Sequence, residues 1–157
     1  MTTLATALAA FQARISDPVY APVDADSAAI PRWWQDDNNV LPDTPAPFIF
    51  FEIIAVPGQA VSYGGGRGAN RYRNAGELNA YVMVPRGQGL TTMAGYAEQV
   101  AAAFRSYRTT DISCFNATVM PIGDGASLVP PGLSGADVAG NYSCCVCSVD
   151  FFYDTIG

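Results

Sequence analysis

Four thiols are the first residues of this chain that could do chemistry: Cys114, Cys144, Cys145 and Cys147. A structural zinc site needs two separated pairs of ligands, commonly Cys-x2-Cys twice, often with histidine. Here three cysteines fall within four residues and alternate along an extended run, leaving Cys114 as the other candidate. Such a set does not easily converge on one ion. The expected state is four reduced thiols acting as small buried hydrophobes. The chain contains no histidine and no lysine, and all eight cations are arginine. The commonest general base and the commonest metal ligand are therefore missing. No Gly-x-Ser-x-Gly elbow, Walker lysine or His-Glu motif occurs. Gly64-Gly65-Gly66-Arg67-Gly68 is glycine-rich, but it joins two strand-like runs, whereas a phosphate cradle joins a strand to a helix. Glu52 is the one acid in an apolar run, and pairing with an arginine is its expected state. The sequence points to a protein that is not an enzyme and needs neither cofactor nor metal.

What remains is recognition. Arg67, Arg71, Arg73 and Arg86 make up half of the cations. The opposite sign collects earlier, where Asp17, Asp24, Asp26, Asp36, Asp37 and Asp43 stand against Arg32. Two readings are open. The arginines form a solvated strand face, or they meet the acidic segment of a neighbouring subunit in a head-to-tail ring contact. Trp33 and Trp34, the two tryptophans of the chain, either pin their segment to the core or form an aromatic patch for a partner. Val61 and Tyr63 give the connection around them an apolar and aromatic grip. The candidate interface is thus Val61, Tyr63, Arg67, Arg71, Arg73, Trp33 and Trp34.

The elements that must position these residues follow from periodicity. Residues 47–57 are apolar on both faces except at Glu52, as for a strand covered on both sides. Residues 71–84 alternate. Tyr72, Leu78, Ala80, Val82 and Val84 lie on one face; Arg71, Arg73, Glu77, Asn79 and Tyr81 lie on the other. Between the two strands, residues 58–70 hold five glycines, far more chain than a hairpin turn needs. That segment reads as an assembly arm.

Residues 2–16 read as a helix capped by Thr2 or Thr3, with Leu4, Leu8, Phe11 and Ile15 on its buried stripe. Residues 18–46 hold five prolines and are expected to be irregular, apart from a short edge strand at 19–23. A second helix opens at Thr91 or Thr92 and buries Met93, Tyr96, Val100, Phe104 and Tyr107. A strand at 112–121 carries Phe115, Ala117 and Val119 on one side. A Gly/Pro-rich loop spans 122–141, and a last strand spans 142–153, with Cys145, Cys147, Val149, Phe151 and Tyr153 on its apolar face.

The whole, residues 1–157, is expected to be one α+β domain: a mainly antiparallel sheet with two helices on one face and a long Gly-rich hairpin arm. Half of the residues are apolar, 14% are charged, and the net charge is −6 with a pI near 4.3. An acidic chain does not bind duplex DNA by neutralising phosphates. No run reaches the roughly 20 apolar residues that span a bilayer. No signal peptide is seen, which leads to an expectation of the cytoplasm and no membrane.

The order of helix, Pro-rich segment with tryptophan, apolar strand, Gly-rich loop, Arg-bearing strand, helix, strand, Pro/Gly loop and terminal strand resembles the tail terminator (tail completion) proteins of long-tailed bacteriophages and related tail-like particles. The matching stretches are 47–57, then Arg71-Tyr72-Arg73 leading to Tyr81-Val82-Met83-Val84-Pro85, then 94–104 and 142–152. The likeness covers roughly residues 5–153 and lies in layout, not in an exact motif. The 22–46 segment is longer than the family usually carries. The resemblance implies a virion protein assembled in the host cytoplasm. It implies a hexameric ring at the head–tail junction, seated on the tail tube protein, ending tube polymerisation and meeting a head-closure protein. Genome DNA would pass through its lumen without specific binding, for which a negative lining is suited. The rival expectations are another neck or tail structural protein, such as a head-closure or tube subunit, and a small non-catalytic ligand-binding α+β domain.

Overall fold

A computed structural model describes residues 3–35, 37, 40–62, 68–110, 112–124 and 141–156; for 57 and 121–124 the backbone alone is described. Its elements are α1 (Leu4–Ser16), β1 (Arg32–Trp34), β2 (Phe48–Ala60), β3 (Arg71–Pro85), α2 (Leu90–Phe104), β4 (Ile112–Asp124) and β5 (Tyr142–Ile156). The five strands form one sheet in the order β1-β2-β3-β5-β4. β2, β3, β5 and β4 pair antiparallel. Among the described strands β1 alone pairs parallel, with Trp33 opposite Phe50.

Both helices lie on one face. Ala7, Phe11 and Ile15 of α1 and Met93, Tyr96, Val100 and Phe104 of α2 join one buried cluster with Ile49, Phe51, Leu78, Ala80, Val82, Cys145, Cys147, Val149 and Phe151. The alternation of β3 was legible from sequence. Its even residues face the helices, and its odd residues face away. Arg14 ties the helices together: its Nε–H donates to the Ala103 carbonyl at 2.9 Å, and its guanidinium lies over the Tyr20 ring.

The upper half of the opposite face holds a second, smaller cluster. Phe48, Phe50, Met83, Tyr142, Cys144 and Val146 are buried there, with Trp33, Leu41 and Tyr81 packed against them. Leu41 brings the Pro-rich segment over this half of the sheet. That double cover explains why the start of β2 is apolar on both faces.

Several expectations are corrected. α1 starts at Leu4 and not at residue 2, while Thr3 caps it as one of the two expected caps, its Oγ1 accepting from the Thr6 N–H at 3.2 Å. Its buried stripe is Ala7, Phe11 and Ile15; Leu4 is 40% exposed. The first turn of α1 overhangs the narrow β1 edge, so Leu4 and Leu8 flank a groove beside Trp34 and Ile53. No strand forms at 19–23. Val23 instead makes one isolated bridge to Ala29, and the edge strand comes later, at β1. β2 runs on to Ala60, with a register shift between Val56 and Gln59. Such a bulge admits Pro57, which has no N–H to give the ladder. The arm is therefore shorter than 58–70 by three strand residues. α2 opens one residue before Thr91, on Gly89, with no side-chain cap.

β4 contains the most consequential correction. Phe115, Ala117 and Val119 do not share a side. Asn116 adopts φ 51°, and the register shifts between Phe115 and Ala117. The extra residue flips the parity of all that follows. Phe115 thus faces away from the helices, while Ala117 and Val119 pack on the helix-side cluster. β4 and β5 also run on to Asp124 and Ile156.

β1 is held at its inner side by β2, and its outer side is occupied locally. The Trp34 N–H donates to Asp37 Oδ2 at 2.8 Å, and the Asp37 N–H donates to the Trp34 carbonyl at 3.0 Å.

Candidate interaction surface

The predicted interface residues separate into three groups. Arg71 and Arg73 follow the arm on β3 and point away from the helices. Directly across the ladder, Arg73 faces Asp154 of β5. Both arginines use that carboxylate. Arg73 Nε and Nη2 donate to Asp154 Oδ1 and Oδ2 at 3.0 and 3.1 Å, and Arg71 Nη2 also donates to Oδ2. The Arg73 guanidinium lies 4.2 Å from the centroid of Phe152, a cation–π contact on the same face. Asp154 is nearly buried, its side chain 8% exposed against 53% and 43% for its partners. The hydrogen bond from Arg73, with that from Arg71, holds the Asp154 carboxyl below the usual range against the opposing effect of burial. The sequence left these arginines either on a solvated strand face or against a neighbour's acids; the fold commits Arg71 and Arg73 to Asp154 of their own chain. A charge separated by 83 residues from Arg71 was invisible without the register.

Val61 begins the arm. Its N–H donates to the Arg71 carbonyl at 2.8 Å, and its side chain is 47% exposed. The Arg71 N–H donates back to Ser62 Oγ at 2.9 Å. Tyr63 and Arg67 lie outside the described residues.

Trp33 and Trp34 sit on opposite faces, one for each cluster. Trp33 stacks on Phe48 at 4.2 Å, and Trp34 stacks on Phe51 at 4.7 Å. These contacts favour the reading in which the indoles pin their segment to the sheet. Both remain partly exposed.

Below the second cluster, the outer sheet face is polar at its centre. The Tyr81 hydroxyl donates to Glu52 Oε2 at 2.7 Å, so Glu52 takes a tyrosine where an arginine was expected. The Ser148 hydroxyl bonds Glu77. Asn116 Nδ2 donates to Asp150 Oδ2 at 3.2 Å. Burial and the neighbouring Glu52 carboxylate raise the Tyr81 phenol well above its ordinary range, so it stays a donor. Around this centre, Ile54, Val56, Phe115 and Met120 are exposed.

The thiols are buried and unpaired. Burial pushes Cys114, Cys144 and Cys147 up to about 12 and Cys145 to about 11. Thiols of that kind are poor nucleophiles and poor metal ligands at neutral pH. Among the described residues no three Cys, Asp or Glu side chains converge as a metal site would require. Among them, too, no helix is long and apolar enough to cross a membrane.

The architecture defines an α+β domain with a four-strand antiparallel ladder, a parallel edge strand and helices on one face. No family model matches this chain, and no curated protein matches it. A solved protein chain that carries no functional name is similar to it with a TM-score of 0.58 at 16% identity. The match covers 98% of this chain and 96% of that one. The likeness is one of fold, and it extends from end to end.

Proposed function

We propose that this chain is a structural subunit of the tail terminator type. Copies form a ring, hexameric by family resemblance, on the head-proximal end of a tail tube. The ring stops tube polymerisation and presents a face to the head-closure protein, and DNA crosses its lumen. The carrying observation is the way β2 and β3 continue past the apolar cover of the sheet. Ile54 and Val56 are exposed along β2 on the way, and at the root of the connection 61–70 the exposed Val61 adjoins Arg71, whose guanidinium is half exposed. A ladder of this length with an apolar, cationic tip is a contact device. The tip offers main-chain, apolar and charged contacts together, which suits capture of another subunit.

The state of the titratable groups supports the same reading. The titratable groups that stand out are tied up in structure: Asp154 by two arginines, Glu52 by Tyr81, the thiols by burial. A net charge of −6 suits a lumen that phosphate must slide through without sticking.

The test replaces residues 61–70 with a two-residue turn, leaving β2 and β3 intact. The isolated variant keeps its circular dichroism, because the ladder needs no such length. Particles carrying it show overlong tails, or tails not joined to heads, in negative-stain images. Tails of normal length joined to heads would defeat the reading.

A further inference from the structure

The register of the sheet lines up four side chains in one row on the outer face: Ile54 of β2, Glu77 of β3, Asp150 of β5 and Phe115 of β4. We propose that this row, with Val56 and Glu52 beside it, is the surface on which a second copy of this chain seats the C-terminal end of its α2 through Arg105 and Arg108. The proposal rests on the ring reading and names the contact within it.

Two observations define the row. Its ends are apolar and open: Ile54 is 46% and Phe115 42% exposed. Exposed apolar side chains on either side of a charged centre can shield its ion pairs from water when a partner covers them. Its centre sets two carboxylates directly opposite one another, since Glu77 is the cross-strand partner of Asp150. Like charges in that relation destabilise a sheet. Their donors among the described residues are neutral, the Ser148 hydroxyl and the Asn116 amide, as is the Tyr81 hydroxyl on nearby Glu52. Among the described residues no cation is paired with either carboxylate. A cationic partner would remove the repulsion, and the flanking apolar side chains would exclude water from the pairs.

The same chain offers that cation. Arg71 and Arg73 are already engaged by Asp154, and Arg14 by the Ala103 carbonyl and Tyr20. Arg105 and Arg108 are exposed, three residues apart just after α2. Among the described residues Arg105 holds a long 3.6 Å pair with the equally exposed Glu98, a weak link in water. The end of α2 lies in the helix layer, and the acidic row lies on the reverse of the sheet. The two surfaces differ, so the contact runs head to tail and can close a ring.

A pair of reversals tests this. One variant carries Glu77→Arg and Asp150→Arg; the other carries Arg105→Glu and Arg108→Glu. Sedimentation velocity is run on the wild type, each variant alone, and their equimolar mixture, up to about 1 mM. Expected are assembly of the wild type, a loss of association of about tenfold or more for each variant alone, and recovery in the mixture, where each altered surface meets its complement. If the first variant fails to fold by circular dichroism, Glu77→Gln with Asp150→Asn replaces it and weakens association without recovery. A variant that assembles alone as the wild type does, or a mixture that stays monomeric, overturns the proposal and leaves the ring reading standing. A monomeric wild type overturns it too, while the tail-length test of the arm decides the ring reading separately.

Discussion

Phe151 occupies the space above Gly76. A Cβ built on Gly76 would lie 2.5 Å from Phe151 Cζ and 2.8 Å from the Ile54 carbonyl oxygen. The ring needs that space because it meets Phe11 of α1 edge-on, with centroids 4.9 Å apart. One missing methyl on β3 thus sets how closely α1 approaches the sheet. Gly76→Ala should cost about 1–3 kcal/mol by overpacking, lowering Tm by roughly 2–10 °C for a domain of this size. A melt matching the wild type would show that the ring moves freely.

Asp154 should govern acid stability at the arm root. Its folded pKa is depressed, so its stabilising effect is fully present above the unfolded value of about 3.9 and is lost as pH falls through the folded value. Asp154→Asn should cost about 1–2 kcal/mol at pH 7, discounted because both arginines are half exposed. The gap between wild type and variant should narrow below about pH 4. Urea midpoints from pH 3 to 7 check this, and a gap constant across that range would remove the charge from the account.

The thiols should be silent in the native protein. All four are buried, and burial raises each to about 11 or 12. Iodoacetamide at pH 8 should label none of them in the folded chain and all four in denaturant, read by intact mass. Rapid stoichiometric labelling of native protein would restore a redox or metal role.

Trp33→Ala and Trp34→Ala should each destabilise the isolated chain by about 2 kcal/mol, less than for a fully buried indole because both are partly exposed. Urea unfolding followed by circular dichroism measures this. Unchanged stability in both would mean that the indoles serve a partner alone.

Much of the fold was legible because period and face agree over long stretches. The alternation of β3 set the two faces of the sheet, and the stripe from Met93 to Phe104 set α2 against one of them. The failures have local causes. β1 is three residues long, held by partners far along the chain, and no pattern can accumulate over so short a run. Asn116 adopts its positive φ without a glycine to signal it, so the parity change at Phe115 could not be read. Arg71 and Arg73 were visible as cations, but Asp154 became their partner only through the β3–β5 register. The same register made Glu77 and Asp150 neighbours, which neither strand discloses by itself.

Asp37 leaves the outer side of Trp34 with neither a spare donor nor a spare acceptor. A strand closed at Trp34 in this way is a poorer template for another strand, which works against cross-β growth at that margin. In the proposed ring, where copies would crowd together, this hindrance would matter more than for a dilute monomer. Copies in such a ring would meet there through side-chain surfaces and not by merging sheets into a fibril.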